Sequence, residues 1–424
     1  MWKNEHKRIF IWNVVIFLLL VLAVAGLYKA ITHVSRQISA EDELLLAENT
    51  NQRKELVEAR QESLEAIRQT YEGHLQTLSE YLPGIVCWGD SLTAGSSGGV
   101  SYPSTLQKYI NVYLCGSYDL RYSLENADSI ARLNKDDYKI SIPVVNMGAG
   151  QEDAATILGR SGVVPYVVSS DFVIPAGKES VSIAIVSENG KAVSPLTAGD
   201  AGVNPVTIAG VEGTLTLSQS QGQQVYQFTR LEAGTPVSVA KGTELVTACK
   251  DEYRDYIHIV WLGTYGDFGS PEKLVEDTKL LLQRQQSGSD RYLVIGPCAI
   301  WGNWFSGSKA TLDAIDSAML QAFGSRYINL RKYLMEDGLR DAGITPSATD
   351  KMNIGLGSVP ESFRSTVGSA DLNAIAYDLI GKLIYSRMDT LGFFDEVRDA
   401  LNLDKSTQEL LKYDPEYFER LLKQ

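Results

Sequence analysis

Histidine and cysteine are both scarce: the 424 residues contain four of each. His6, His33, His74 and His258 are far apart, with no pair at ligand spacing, so no metal centre is legible, and no histidine follows His258. Cys87, Cys115, Cys249 and Cys298 form no CxxC pair, which removes the usual zinc and dithiol signatures. Cys87 and Cys298 lie in or beside apolar runs that suit buried thiols, while spacing leaves a Cys115–Cys249 disulfide open. Positive charge is short as well. Lys and Arg number 39 against 52 Asp and Glu, a net charge of −13, which argues against nucleic acid as a partner. No cofactor is expected. What is present is a 44% hydrophobic content, ample for a sizeable core in a chain too long for one average domain.

Residues 9–28 form a 20-residue apolar run broken only by Asn13, long enough to span a bilayer as a helix. Lys3, Lys7 and Arg8 precede it, and beyond Lys29 and Arg36 come Glu41, Asp42 and Glu43. The positive-inside rule then predicts a cytoplasmic tail over 1–8, a single-pass anchor in the cell membrane and an extracytoplasmic remainder. The rival reading is a signal peptide cleaved after Ala23-Val24-Ala25.

From 29 to 82 the chain is polar and helical in pattern. Leu64, Ile67, Tyr71, Leu75, Leu78 and Leu82 are spaced 3, 4, 4, 3 and 4 residues apart. The stripe suits a stalk that self-associates as a coiled coil into a homo-oligomer, or equally a helix packed on the chain's own globular part.

Beyond Pro83-Gly84, apolar runs at 85–88, 142–146, 256–262, 292–296 and 327–330 alternate with helical patterns at 102–113, 152–160, 272–286, 309–323 and 373–391. That rhythm predicts an α/β fold, a mostly parallel sheet covered on both faces, over 83–162 and 251–392. Residues 163–250 break it with short β-branched runs and no helix-length pattern, as an inserted all-β domain would. Residues 393–424 read as a C-terminal helical tail.

The sharpest chemical signal is Gly89-Asp90-Ser91-Leu92-Thr93-Ala94-Gly95, directly after the first strand. A serine nucleophile needs a tight strand-to-helix turn that exposes its Oγ and converges backbone N–H groups on one point. With Asn146-Met147-Gly148-Ala149-Gly150-Gln151-Glu152 and Val260-Trp261-Leu262-Gly263-Thr264-Tyr265-Gly266, this block resembles the GDSL/SGNH family of serine ester hydrolases over about residues 84–392. The resemblance implies a three-layer, flavodoxin-like fold, Ser91 as nucleophile, and Gly150 or Gln151 as the second oxyanion N–H. It also puts Tyr265 at the position where the family carries an asparagine side chain. The implied substrate is an acylated or acetylated glycan of the cell envelope, or another small ester.

The last family block, an Asp and a His three residues apart, is absent. Asp371-Leu372-Asn373-Ala374 opens the final helix, so Asp371 occupies the histidine position and Gly368 the aspartate position. A carboxylate with an ordinary pKa near 3.9 is a poor substitute for an imidazole near 6.5. His258, five residues before Gly263 and inside a strand, reads as structural. Glu152 and Asp153 suit a helix start, and Trp301, Asn303 and Trp304 are groove candidates. Two functions therefore stand: an acyl or acetyl esterase with a degenerate site, or a catalytically inactive glycan-binding or scaffolding module on the same fold.

Overall fold

The computed structural model describes residues 2–95, 99–114, 141–150, 152–187, 203–220, 223–266, 268–285, 290–300 and 308–400. The chain begins with one helix, α1 (Trp2–Tyr81), which is 80 residues long. Only Gly26 and Gly73 interrupt its helix-forming composition, and Pro83 stops it. Its apolar segment 9–28 is exposed along its whole length, and this is one helix long and apolar enough to cross a bilayer. The helix up to Tyr71 forms one unit, and from Glu72 it belongs to the globular unit. There Leu75 is half-buried and Leu78 and Leu82 are buried. The end of the heptad-like stripe is therefore taken up by the chain's own core.

The globular unit is built on β1 (Ile85–Gly89), α2 (Ser91–Ala94), α3 (Tyr102–Tyr109), β2 (Val144–Gly148) and α4 (Ala154–Arg160). After the insert the chain resumes with β12 (Ile257–Trp261), α5 (Pro271–Leu282), β13 (Tyr292–Ile295), α6 (Ser308–Phe323) and β14 (Tyr327–Ile328). It continues with α7 (Ala348–Gly355) and α8 (Ala374–Thr390), and a short helix over Asp395–Ala400 ends the described residues. The five strands are parallel in the order β2-β1-β12-β13-β14. In that order the chain leaves β1 on one side and returns on the other, and such a switch leaves a crevice at the strands' carboxyl ends.

Alternation along the strands feeds both faces. Val86, Trp88, Val260 and Val294 pack with Ile157 of α4, Leu274 of α5 and Ile315 of α6. Trp261 turns the other way, where its ring meets Tyr102 of α3 at 5.7 Å. Helices α3 and α8 lie so close that a Cβ on Gly381 would fall 2.3 Å from Thr105 Oγ1. Both faces of the sheet are thus covered.

The insert contributes β3 (Tyr166–Val168), β4 (Phe172–Ile174), β5 (Val181–Ile183), β6 (Ile185–Val186), β7 (Val206–Ile208), β8 (Val211–Ser220), β9 (Gln223–Arg230), β10 (Val237–Val239) and β11 (Glu244–Val246). None of them pairs with the parallel sheet among the described residues; β4 and β10 form a two-stranded ladder, and the others a seven-stranded antiparallel sheet. Its order, β5-β9-β8-β7-β11-β3-β6, begins and ends on strands separated only by Ala184. The sheet therefore curls back on itself into a near-barrel around Val168, Ile208, Leu215 and Phe228. Its roots belong elsewhere. Val163, Val164 and Cys249, at the two ends of 163–250, pack into the α/β core.

Candidate active site

Strand β1 ends at Gly89, and Asp90 caps the following turn by accepting a hydrogen bond from Leu92 N–H at 2.9 Å. Ser91 is thereby the first residue of α2, at the carboxyl end of β1, which lies between β2 and the central β12. The turn sits directly on its neighbours, and only glycine permits this. A Cβ at Gly89 would lie 2.1 Å from Thr93 Oγ1, and one at Gly148 2.1 Å from Ala94 N. Asn146 ties the second block to the first: its amide donates to Ala94 O at 3.2 Å, and its oxygen accepts from Gly148 N–H. Ala149 N–H donates to Gly89 O at 3.1 Å.

Gly89, Gly148 and Trp261 are in register on adjacent strands, so the three blocks emerge side by side. The Ser91 hydroxyl meets the Tyr265 hydroxyl at 3.2 Å. Tyr265 reaches it from the Gly263–Gly266 turn after β12. Gly150 is half-exposed in the turn after β2, while Gln151 lies outside the described residues.

Charge beneath the site is more concentrated than the motif pattern suggests. Asp90 is 1% exposed, and burial pushes its carboxyl up to about 7. The Leu92 N–H and the Thr264 hydroxyl oppose that rise, and the nearby Glu152 adds to it. Asp153 does cap α4, accepting from Thr156 N–H at 2.9 Å. Glu152 does not serve the helix start. It is buried against Arg160, with Arg160 Nε and Nη2 at 2.8 and 2.7 Å from its Oε2. Glu152 stands just before the cap of α4 and Arg160 at its end, and the sequence carried no signal for their pairing.

Asp371 lies in an exposed loop, its N–H donating to Ser369 Oγ and its carbonyl accepting from Ser365 N–H. No hydrogen bond joins it to Ser91 among the described residues. The Tyr377 phenol is pushed up by burial and then by both Asp371 and Asp90. Gly368 adopts φ +70° and donates its N–H to Glu361 Oε1, so no orienting carboxylate stands there.

His258 is wholly buried in β12, its Nε2 3.0 Å from Tyr253 O, and burial pushes its pKa down to about 4. Cys249 is a free thiol that donates to Arg160 O, so it forms no disulfide with Cys115, which lies outside the described residues. Trp301, Asn303 and Trp304 also lie outside them. Among the described residues no group of three or more His, Cys, Asp or Glu is placed to hold a metal ion.

No family model matches the chain, and no curated protein matches it. A solved structure that it resembles is a peptidoglycan O-acetylesterase, 12% identical over 78% of this chain and 96% of that one, with a TM-score of 0.29. At that score the likeness carries no weight, and the chemistry has to come from the residues themselves.

Proposed function

We propose that the chain is a membrane-anchored, extracytoplasmic ester hydrolase of the GDSL/SGNH type, acting through Ser91 on an acyl or acetyl ester of an envelope glycan. The carrying observation is the Ser91 hydroxyl at the start of α2, over the ends of three adjacent strands and 3.2 Å from Tyr265 Oη. The strand order, the flavodoxin-like 2-1-3-4-5 when β12–β14 are counted third to fifth, supports the same family reading. Ser91 Oγ attacks the ester carbonyl, and the N–H groups of Ser91 and of Gly150 or Gln151 hold the oxyanion. The serine proton passes to solvent water and the departing alcohol takes one back from it, while the Tyr265 hydroxyl, 3.2 Å from Ser91 Oγ, shares a hydrogen bond with the nucleophile. Water then releases the acid from the acyl-serine.

The second reading, an inactive glycan-binding or scaffolding module, is favoured by the exposed Asp371 loop, which offers Ser91 no hydrogen-bonded base. General-base assistance is worth about 10²–10⁴-fold, so the esterase reading predicts turnover slower than a complete site by about that factor. Acetyl-ester hydrolysis by the full chain in detergent micelles is the test. Slow turnover abolished by Ser91→Ala supports the esterase. Turnover that survives Ser91→Ala removes Ser91 as the nucleophile, and no turnover at all leaves the binding module.

A further inference from the structure

We infer that Arg160 is a positioning residue for Ser91 and that the segment returning from the near-barrel insert acts on the site through it. Arg160 is the last residue of α4 and is 1% exposed. Besides Glu152, its Nη2 donates to Met147 O at 2.7 Å and reaches Gly89 O at 3.5 Å. Those carbonyls belong to adjacent strands, two residues before Ser91 and three before Gly150. One guanidinium thus fixes the spacing between the nucleophile turn and the oxyanion turn. Its carbon also lies 5.5 Å from the Trp88 ring centroid, so the same strand is held through a side chain as well.

The other end of Arg160 is held by the segment that returns from the insert. Its carbonyl accepts hydrogen bonds from Thr247 Oγ1 and Cys249 Sγ, both at 2.9 Å. These residues immediately follow β11, where the chain returns from the near-barrel. A buried ion pair is an inefficient way to add stability, and this one leaves Glu152 Oε1 without a partner. A planar fork with several fixed donors suits divergent acceptors, which a single ammonium cannot span.

The kinetic part of this inference rests on Ser91 being the reactive residue; the positioning part does not. The test uses the full chain in detergent micelles, as wild type, Thr247→Val and Arg160→Lys. Amide hydrogen exchange is read over 86–95 and 145–150 against β13 and β14, together with acetyl-ester kinetics. Removing one hydrogen bond at the hub raises exchange of the two turns by about fivefold to tenfold while β13 and β14 stay unchanged. In an active protein kcat falls at least as far, with KM little changed. If Arg160→Lys fails to fold, Thr247→Val decides. Unchanged exchange at both turns overturns the inference, as does a uniform rise across the whole sheet, which marks a purely structural role. Localised exchange in a protein without Ser91-dependent turnover retains Arg160 as the organiser of the turns and removes only the esterase reading.

Discussion

Gly368 and Asp371 decide how a missing base can be rebuilt. Gly368 is held at φ +70°, where a side chain costs roughly 1 kcal/mol or more. Asp371→His alone should therefore fold with an unchanged melt, while adding Gly368→Asp should lower stability by about 1 kcal/mol, measurable by denaturant titration. If the loop brings position 371 within reach of Ser91, the single variant should raise acetyl-ester turnover at least tenfold, a modest share of what a base can contribute. An unchanged rate in a normally folded variant would show that the loop keeps position 371 out of reach. Asp350 supports the same region. It is buried and accepts from the N–H and hydroxyl groups of both Ser347 and Ser362. Burial works to raise its pKa, but these four donors outweigh it and hold the carboxyl at about 2. The folded value lies below the unfolded one near 3.9, so the stability gained is full above about pH 4 and disappears as pH falls towards 2. Asp350→Asn should cost about 2 kcal/mol at pH 7 and progressively less as pH drops through that window, read from denaturant melts at several pH values.

At the scale of elements, the insert can be removed only along the right seam. Tyr166 pairs with Leu245 across β3 and β11, so a short linker can join 166 to 247. A chain lacking 167–246 should retain a cooperative melt. One lacking 163–250 loses Val163, Val164 and Cys249 from the α/β core together with the Thr247 bond, and should not. The parallel strands were legible because burial on both faces leaves continuous apolar runs such as 85–88 and 256–262. Strands β4 and β11 were not, since each is a three-residue piece that no run of more than two β-branched residues marks. Nor was α7, which lies in a polar segment and is held by Asp350 rather than by an apolar stripe. At the site, motif spacing located Ser91, Gly150 and Tyr265, but it carried no information on the contact between two hydroxyls 174 positions apart or on the Glu152–Arg160 pair.

For the molecule as a whole, the exposed apolar segment of α1 is long and apolar enough for a membrane anchor or a signal sequence. With basic residues before it and acidic ones after it, external protease on intact cells should remove the globular unit and leave the tail before residue 9 protected. A mature chain beginning after Ala25 would instead identify a cleaved leader. The buried thiols have a different consequence. Cys87, Cys249 and Cys298 are free and buried, and burial pushes Cys87 up to about 12 and raises the other two. In the native chain they are neither exposed nor ionised, so oxidants and alkylating reagents act on them only when the fold opens. With Cys115 replaced by serine, the rate of alkyl label incorporation then becomes a clock for opening: Cys87 times the nucleophile strand, Cys249 the seam with the insert, and Cys298 the far half of the sheet.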